Sequence, residues 1–260
     1  MFDPAEPAPS SKSMCKLFTR LVIPAIFTNV MAFVSVVINA VFAGRTNDPS
    51  KLAAVGLANV CHSVMILSLL IGLNAAQETL TSQAFGNGNL RLCGVYLNRG
   101  RLILVVFFIP LALVPAIFAE DILLSIGQDA EVSRLTNIQI WAGLPAIFCY
   151  GQYDLYKRWL ACMRITFVPM VAMCIATCMH LPFCLLFMNT FGLGIVGLAV
   201  ASSCRDFILL VALMIYGNCK TEIRDTLQPF WSRETFRGWG EYLKVSLPST
   251  VMICAEWWGF

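Results

Sequence analysis

The chain has 260 residues, of which 58% are hydrophobic and only 13% charged, and its net charge is +3. A soluble domain carries about 25% charged residues, and a disordered chain holds far fewer apolar side chains than this one, so both classes are excluded. The composition is that of an integral membrane protein, and no nucleic-acid partner is expected. Eleven cysteines fall short of a disulfide scaffold and lie mostly within apolar runs, where a free thiol packs as a small hydrophobe. Cys174 and Cys178 share a helix face with His180 and Cys184 nearby, but nothing completes a four-ligand shell, so no metal is expected there.

Residues 1–16 are Pro-rich and polar, with acids and no apolar h-region, which predicts a disordered tail and not a cleavable signal. Apolar stretches of bilayer length then recur, predicting spans near 20–43, 53–77, 98–118, 136–156, 167–188 and 195–217. A seventh begins near Tyr242 and is still running at Phe260. Pro24, Pro110, Pro115, Pro145, Pro169, Pro182 and Pro248 fall in these spans and predict a bundle of kinked helices whose freed carbonyls find partners on neighbours. The expected organisation is a tail over 1–16, a six-helix lobe over 17–218, a linker over 219–240 and the start of a seventh helix over 241–260.

Of the 18 Lys and Arg residues, 14 lie in the N-terminal tail and the 2–3, 4–5 and 6–7 connections, and only Arg45, Lys51 and Arg134 lie in the others. Positive charge stays cytoplasmic, so the N-terminus is predicted inside. That excludes a seven-helix receptor, whose N-terminus is outside. A retinal pigment would need a lysine deep in span seven, where Lys244 is only at the inner edge. No nucleophile–base pair, metal-ligand run or phosphate loop appears, so no enzyme is expected. Gly192-Leu-Gly-Ile-Val-Gly197 matches a dinucleotide fingerprint in letters but follows no strand.

Charges inside a span cost about 2.5–3.5 kcal/mol each on insertion scales and need partners. Asp154 and Arg158 are predicted to form an interfacial i,i+4 pair. Arg205 and Asp206 are adjacent, so they are expected to point apart and find separate partners, as glue between helices in preference to part of a polar cavity. Glu78, with Gln83, closes span two near the inner face, where a packing role and a gating role stand level. Glu256 lies deep in span seven beside Trp257 and Trp258, with no base of its own span nearby, and is expected to be buried against the two indoles.

The segments Gln77-Glu78-Thr-Leu-Thr-Ser-Gln83-Ala-Phe-Gly86, Gln128-Asp-Ala-Glu-Val-Ser-Arg134, Gly143-Leu-Pro145-Ala and Cys254-Ala-Glu256-Trp-Trp-Gly-Phe260 resemble the eukaryotic branch of the multidrug and toxic compound extrusion (MATE) family. The resemblance runs from about Thr19 to Phe260 and covers about half of a family member. It implies an all-α polytopic membrane protein: a six-helix N-terminal lobe plus the start of the seventh transmembrane helix of a two-lobed transporter. It also implies a central cleft and export of organic cations or other xenobiotics in exchange for protons or sodium, without a cofactor. Asn39 stands where many bacterial relatives have a titratable aspartate, the glutamate usual just past the aromatic after Glu-Trp-Trp is absent, and Arg158–Arg164 lacks the glutamines usual before Pro169.

The expected substrate- and proton-binding set is Glu256, Trp257, Trp258, Glu78, Asn39 and Gln83, with Glu256 as the coupling carboxylate and protons favoured over sodium. The adjacent indoles would add a cation–π surface for an organic cation. The apolar run from Val245 onward is shorter than a full crossing, so the sequence is expected to be an incomplete chain that does not transport alone. A lipid-linked flippase of the wider superfamily would want a cationic groove, for which the spans offer Arg205 alone. A non-transporting fragment that pairs with a full-length partner is the other alternative. The membrane would be the plasma membrane or that of an intracellular vesicle.

Overall fold

The computed structural model describes residues 11–224 and 226–259. The first helix, α1 (Ser11–Gly44), already runs at Ser11, so the tail predicted to reach residue 16 is helical from 11 onward. Residues 11–16 contain no helix breaker, and Pro9 is the last one before them. Residues 1–10 lie outside the described part.

The second span is α2 (Pro49–Cys61), a π-helical turn at His62–Leu67, and α3 (Ser68–Gly86). Asp48 caps α2 by accepting from the Ser50 and Lys51 amides, with Pro49 at the first helical position, where its missing N–H costs nothing. Next come α4 (Leu90–Ser125), capped by Asn89, and α5 (Ala130–Cys162), capped by Asp129. The sixth helix, α6 (Phe167–Cys184), continues into a second π-helical turn at Leu185–Thr190, followed by α7 (Val196–Cys219). Two single turns, α8 (Thr221–Arg224) and α9 (Arg233–Phe236), lead to α10 (Trp239–Trp258). The seventh helix runs to Trp258, and Phe260, to which the predicted span extends, lies outside the described part.

Among the described residues, five helices are long and apolar enough to cross a membrane: α1, α2–α3, α4, α6 with its π-turn, and α7. The predicted fourth span, α5, is as long but more polar, and it lies in the middle, packed against α2, α3, α4 and α7. Its side chains Gln139, Gln152 and Asp154 are buried in protein, which is where a lipid-crossing helix can carry such groups. Tyr153, Leu155, Trp159 and Leu160 of the same helix form the main core with Ile66, Leu70, Leu97, Met173, Leu209 and Leu213. The chain is a multi-pass integral membrane protein, with α1 and much of α4 presenting apolar side chains outward, such as Phe33, Val41, Ile109 and Ile117.

Proline frees the carbonyl four residues before it. For Pro24 that is Arg20, whose oxygen accepts from Thr166 Oγ1 at 3.4 Å, at the start of α6. The helix α1 packs along α6, so the break in one ladder is met by its neighbour.

The stretch 219–240 is docked on α4 and is not a loose tether. Asn98 donates to the Gln228 carbonyl at 2.8 Å, Arg91 pairs with Glu234 at 3.0 Å, and Arg99 donates to the Glu234 carbonyl at 3.3 Å. Arg101 lies between the rings of Tyr156 and Phe230, 5.3 and 5.1 Å from their centroids. Gly94 is required because the Thr226 carbonyl occupies the place where a Cβ would stand. Gly238, at φ 75°, makes the left-handed turn into α10 with the Arg99 guanidinium against it.

Candidate functional site: a cavity within the bundle

A cavity of about 570 Å³ opens between α1, α2, α5, α6 and α7, with Trp257 of α10 on its wall. Much of its lining is apolar, including Phe33, Val36, Ile147 and Leu198, with a few polar groups set among these residues. Asn39 is one of them. Its Nδ2 donates to Ser202 Oγ at 3.1 Å, and Ser202 spends its own proton on the Leu198 carbonyl at 2.9 Å. The amide is thereby oriented, and its Oδ1 accepts from His180 Nε2 at 2.9 Å. His180 is fully buried on α6, with Cys184 Sγ at 3.5 Å from the same nitrogen. His62, in the first π-helical turn, donates from Nε2 to the Ile140 carbonyl at 3.1 Å and lies against Gly143, which leaves no room for a Cβ.

Arg205 and Asp206 correct an expectation. They do not seek separate partners: Arg205 Nε and Nη2 grip Asp206 Oδ1 and Oδ2 at 2.7 and 2.8 Å. Adjacent positions on a helix diverge by about 100°, but the long arginine stem folds back far enough to close a bidentate pair. Both residues line the cavity, so they are not merely glue between helices.

Glu256 also differs from expectation. It is exposed, and it lines a second, more open groove of about 410 Å³ with Asn59, Ser63 and Trp257. Side chains at i, i+1 and i+2 of a helix face different ways, so the two indoles following Glu256 cannot cover it. Trp257 turns to the cavity, and Trp258, 60% exposed, donates from Nε1 to the Val64 carbonyl at 2.9 Å. That carbonyl belongs to the π-helical turn, which links the end of α10 to the second span.

Glu78 and Gln83 lie elsewhere. Glu78 Oε2 accepts from Arg158 Nη1 at 2.9 Å, while Arg158 Nε and Lys157 Nζ each hold Asp154 at 2.8 Å. Asn74 adds a third donor to Asp154, at 3.1 Å. The predicted Asp154–Arg158 pair exists, but its carboxylate is 3% exposed and sits at the centre of a network tying α3 to α5, not at an open interface. Gln83 is exposed on the last turn of α3. Of the predicted set, the cavity therefore gathers Asn39 and Trp257, with Glu256 on the adjoining groove; Glu78 and Gln83 are outside both. His62, Asn59, Ser63 and Ser202 did not stand out in the sequence, and His180 did so only beside the cysteines of α6. Polar residues at i, i+3 and i+4 in an apolar span, as Asn59, His62 and Ser63 are, were the available signal.

The MatE family model matches residues 24–186, more than half of the chain. This chain belongs to the MatE family. It is 34% identical to multidrug and toxin extrusion protein 1 of Xenopus tropicalis, over 92% of this chain and 41% of that protein. With Protein DETOXIFICATION 36 of Arabidopsis thaliana the identity is 32%, over 94% of this chain and 48% of that one. The fold matches a crystal structure of the eukaryotic MATE transporter AtDTX14 with a TM-score of 0.88 and 28% identity, over 94% of this chain and 54% of that chain. A bent-form structure of the Vibrio cholerae MATE transporter VcmN shares the fold at a TM-score of 0.82 and 17% identity. The chain spans about two fifths to one half the length of the relatives it matches. Its architecture is accordingly that of the N-terminal half of a MatE protein: one six-helix lobe and the seventh helix.

Proposed function

We propose that this chain forms the first lobe and seventh helix of a secondary transporter that exports small organic cations or other xenobiotics in exchange for protons, without a cofactor. The supporting observation is the position of Glu256, which has no ion-pair partner among the described residues and lies on a groove that shares Asn59, Ser63 and Trp257 with the cavity. A carboxylate there can take a proton or meet a cation, and competition for one carboxylate enforces exchange. Trp257 offers a π face beside it, worth about 0.5–2 kcal/mol to an organic cation. The gathering of basic residues at the end formed by the 2–3, 4–5 and 6–7 connections supports a cytoplasmic location for that end and the N-terminus.

The test is pH-driven export of a fluorescent organic cation from vesicles holding a two-lobed chain that carries these 260 residues. Glu256→Gln keeps shape and hydrogen bonding and removes titration, so it should abolish the pH-driven flux at unchanged expression. Unaltered pH-dependent export by that variant would refute Glu256 as the coupling group. A sodium gradient that drives export where a pH gradient does not would refute the choice of ion.

A further inference from the structure

The cavity's charged groups are not arranged for a cation. Both oxygens of Asp206 are occupied by Arg205, at 2.7 and 2.8 Å, and the carboxylate is 3% exposed. A cationic ligand in this cavity would meet no open carboxylate unless it displaced an arginine. Arginine, by contrast, carries five N–H donors. Asp206 uses one on Nε and one on Nη2, and Nη1 has no hydrogen-bond partner among the described residues. Arg205 lines the cavity and is not among the buried polar groups sealed off without a partner, so this free edge of the guanidinium is open to a ligand.

The other polar groups facing the same space are committed or neutral. The Asn39 amide is held between Ser202 and His180, and His62 gives its Nε2 proton to Ile140. Asn29, Asn59, Ser63 and Gln139 add only neutral polar groups, and the rest of the lining is largely apolar, with the Trp257 indole and Tyr150 ring on it. A guanidinium edge at one point, enclosed by aromatic and aliphatic surface, matches a planar ring bearing a carboxylate.

We propose that the first-lobe cavity binds planar aromatic carboxylates, with the ligand's carboxylate on Arg205 Nη1 and its ring packed against Trp257. Asp206 then acts as a positioning residue: it anchors the guanidinium from behind so that its free edge faces the ligand. The proposal rests on the reading of the cavity as substrate space but not on proton coupling or on Glu256. It divides recognition between two places, an anion-accepting cavity and a cation-accepting groove, so a zwitterion can engage both.

Equilibrium binding to the 260-residue chain in lipid nanodiscs tests it, read as quenching of tryptophan fluorescence. The probes are coumarin-3-carboxylate and a coumarin of equal size bearing a trimethylammonium group. In a Glu256→Gln background, which removes the groove's carboxylate, the carboxylate should bind about tenfold more tightly than the cation. Arg205→Lys preserves a positive partner for Asp206 but removes the planar edge, and should weaken the carboxylate about tenfold while leaving the cation unchanged. The double variant Arg205→Gln with Asp206→Asn removes both charges, leaves no unpaired buried ion, and should erase the preference. Size-exclusion profiles and circular dichroism report folding.

Binding of neither probe, equal binding of both, or retained preference in either folded variant would overturn the proposal. Should both variants fail to fold, the preference of the Glu256→Gln chain decides. No gradient is involved, so a two-lobed protein that fails to export cations sinks the transport reading and leaves this result intact. Loss of the carboxylate preference does the reverse.

Discussion

Asn39 holds the buried ring of His180 from across the α1–α6 interface, Oδ1 to Nε2 at 2.9 Å, and is itself oriented by Ser202 on α7. Three helices therefore meet at one amide. Asn39→Leu removes the acceptor from a fully buried N–H and should cost about 1–3 kcal/mol, whereas Ser202→Ala should cost about 1 kcal/mol. Thermal unfolding in detergent, followed by a thiol-reactive or tryptophan signal, compares the two. No loss for Ser202→Ala would show that the amide does not depend on this orientation.

The Asp154 network separates exposed from buried charge. Asp154→Asn leaves Lys157 and Arg158 without their buried counter-ion and should cost about 3–5 kcal/mol. Glu78, whose side chain is 64% exposed, should couple to Arg158 by less than about 1 kcal/mol in a double-mutant cycle. A large coupling there would make the α3–α5 contact a latch and not a surface pair.

Gly94 holds the inter-helix connection in place. Gly94→Ala drives a methyl group into the backbone carbonyl of Thr226, and should cost about 1–3 kcal/mol while releasing the segment from α4. Faster tryptic cleavage at Arg224 or Arg233 is the readout. Gly86→Ala, where a Cβ meets nothing within 4 Å, is the control and should leave the cleavage rate unchanged.

The sidedness proposed from the basic residues is checked by thiol labelling of intact cells in a cysteine-free background. A cysteine placed at Gln128, in the turn before α5, should react with an impermeant reagent, and one at Arg233 should be protected. The opposite pattern would invert the topology.

How far the sequence carried the reading depended on which physical signal was in play. Span positions followed from apolar runs of bilayer length, and the structure returns helices over each of them. Pairing between neighbours in sequence misled in both directions. Arg205 and Asp206 were separated by helical geometry although an arginine stem can turn back, and Glu256 was placed under its own tryptophans although the same geometry forbids it. The Asn39–His180–Ser202 cluster draws on residues 141 and 163 positions from Asn39. No local period or spacing encodes such a contact; only the packing of α1 against α6 and α7 creates it. Glu78 was legible as a charge that needed a partner, but Arg158 was claimed for Asp154 alone, and a guanidinium can serve both.

The polarity of α5 bears on how the chain is made. A translocating ribosome presents helices one at a time, and a segment with Asp154, Gln139 and Gln152 along its length gains little by entering lipid alone. Asp154 finds Lys157 and Arg158 on α5 itself, but Gln152 donates to the Arg101 carbonyl of α4 and Gln139 to the Ile195 carbonyl at the start of α7, which is synthesised after α5. Insertion of α5 is therefore a co-operative event that waits on helices both upstream and downstream. During that interval the helix at the centre of the finished lobe is the one most exposed to quality-control proteolysis.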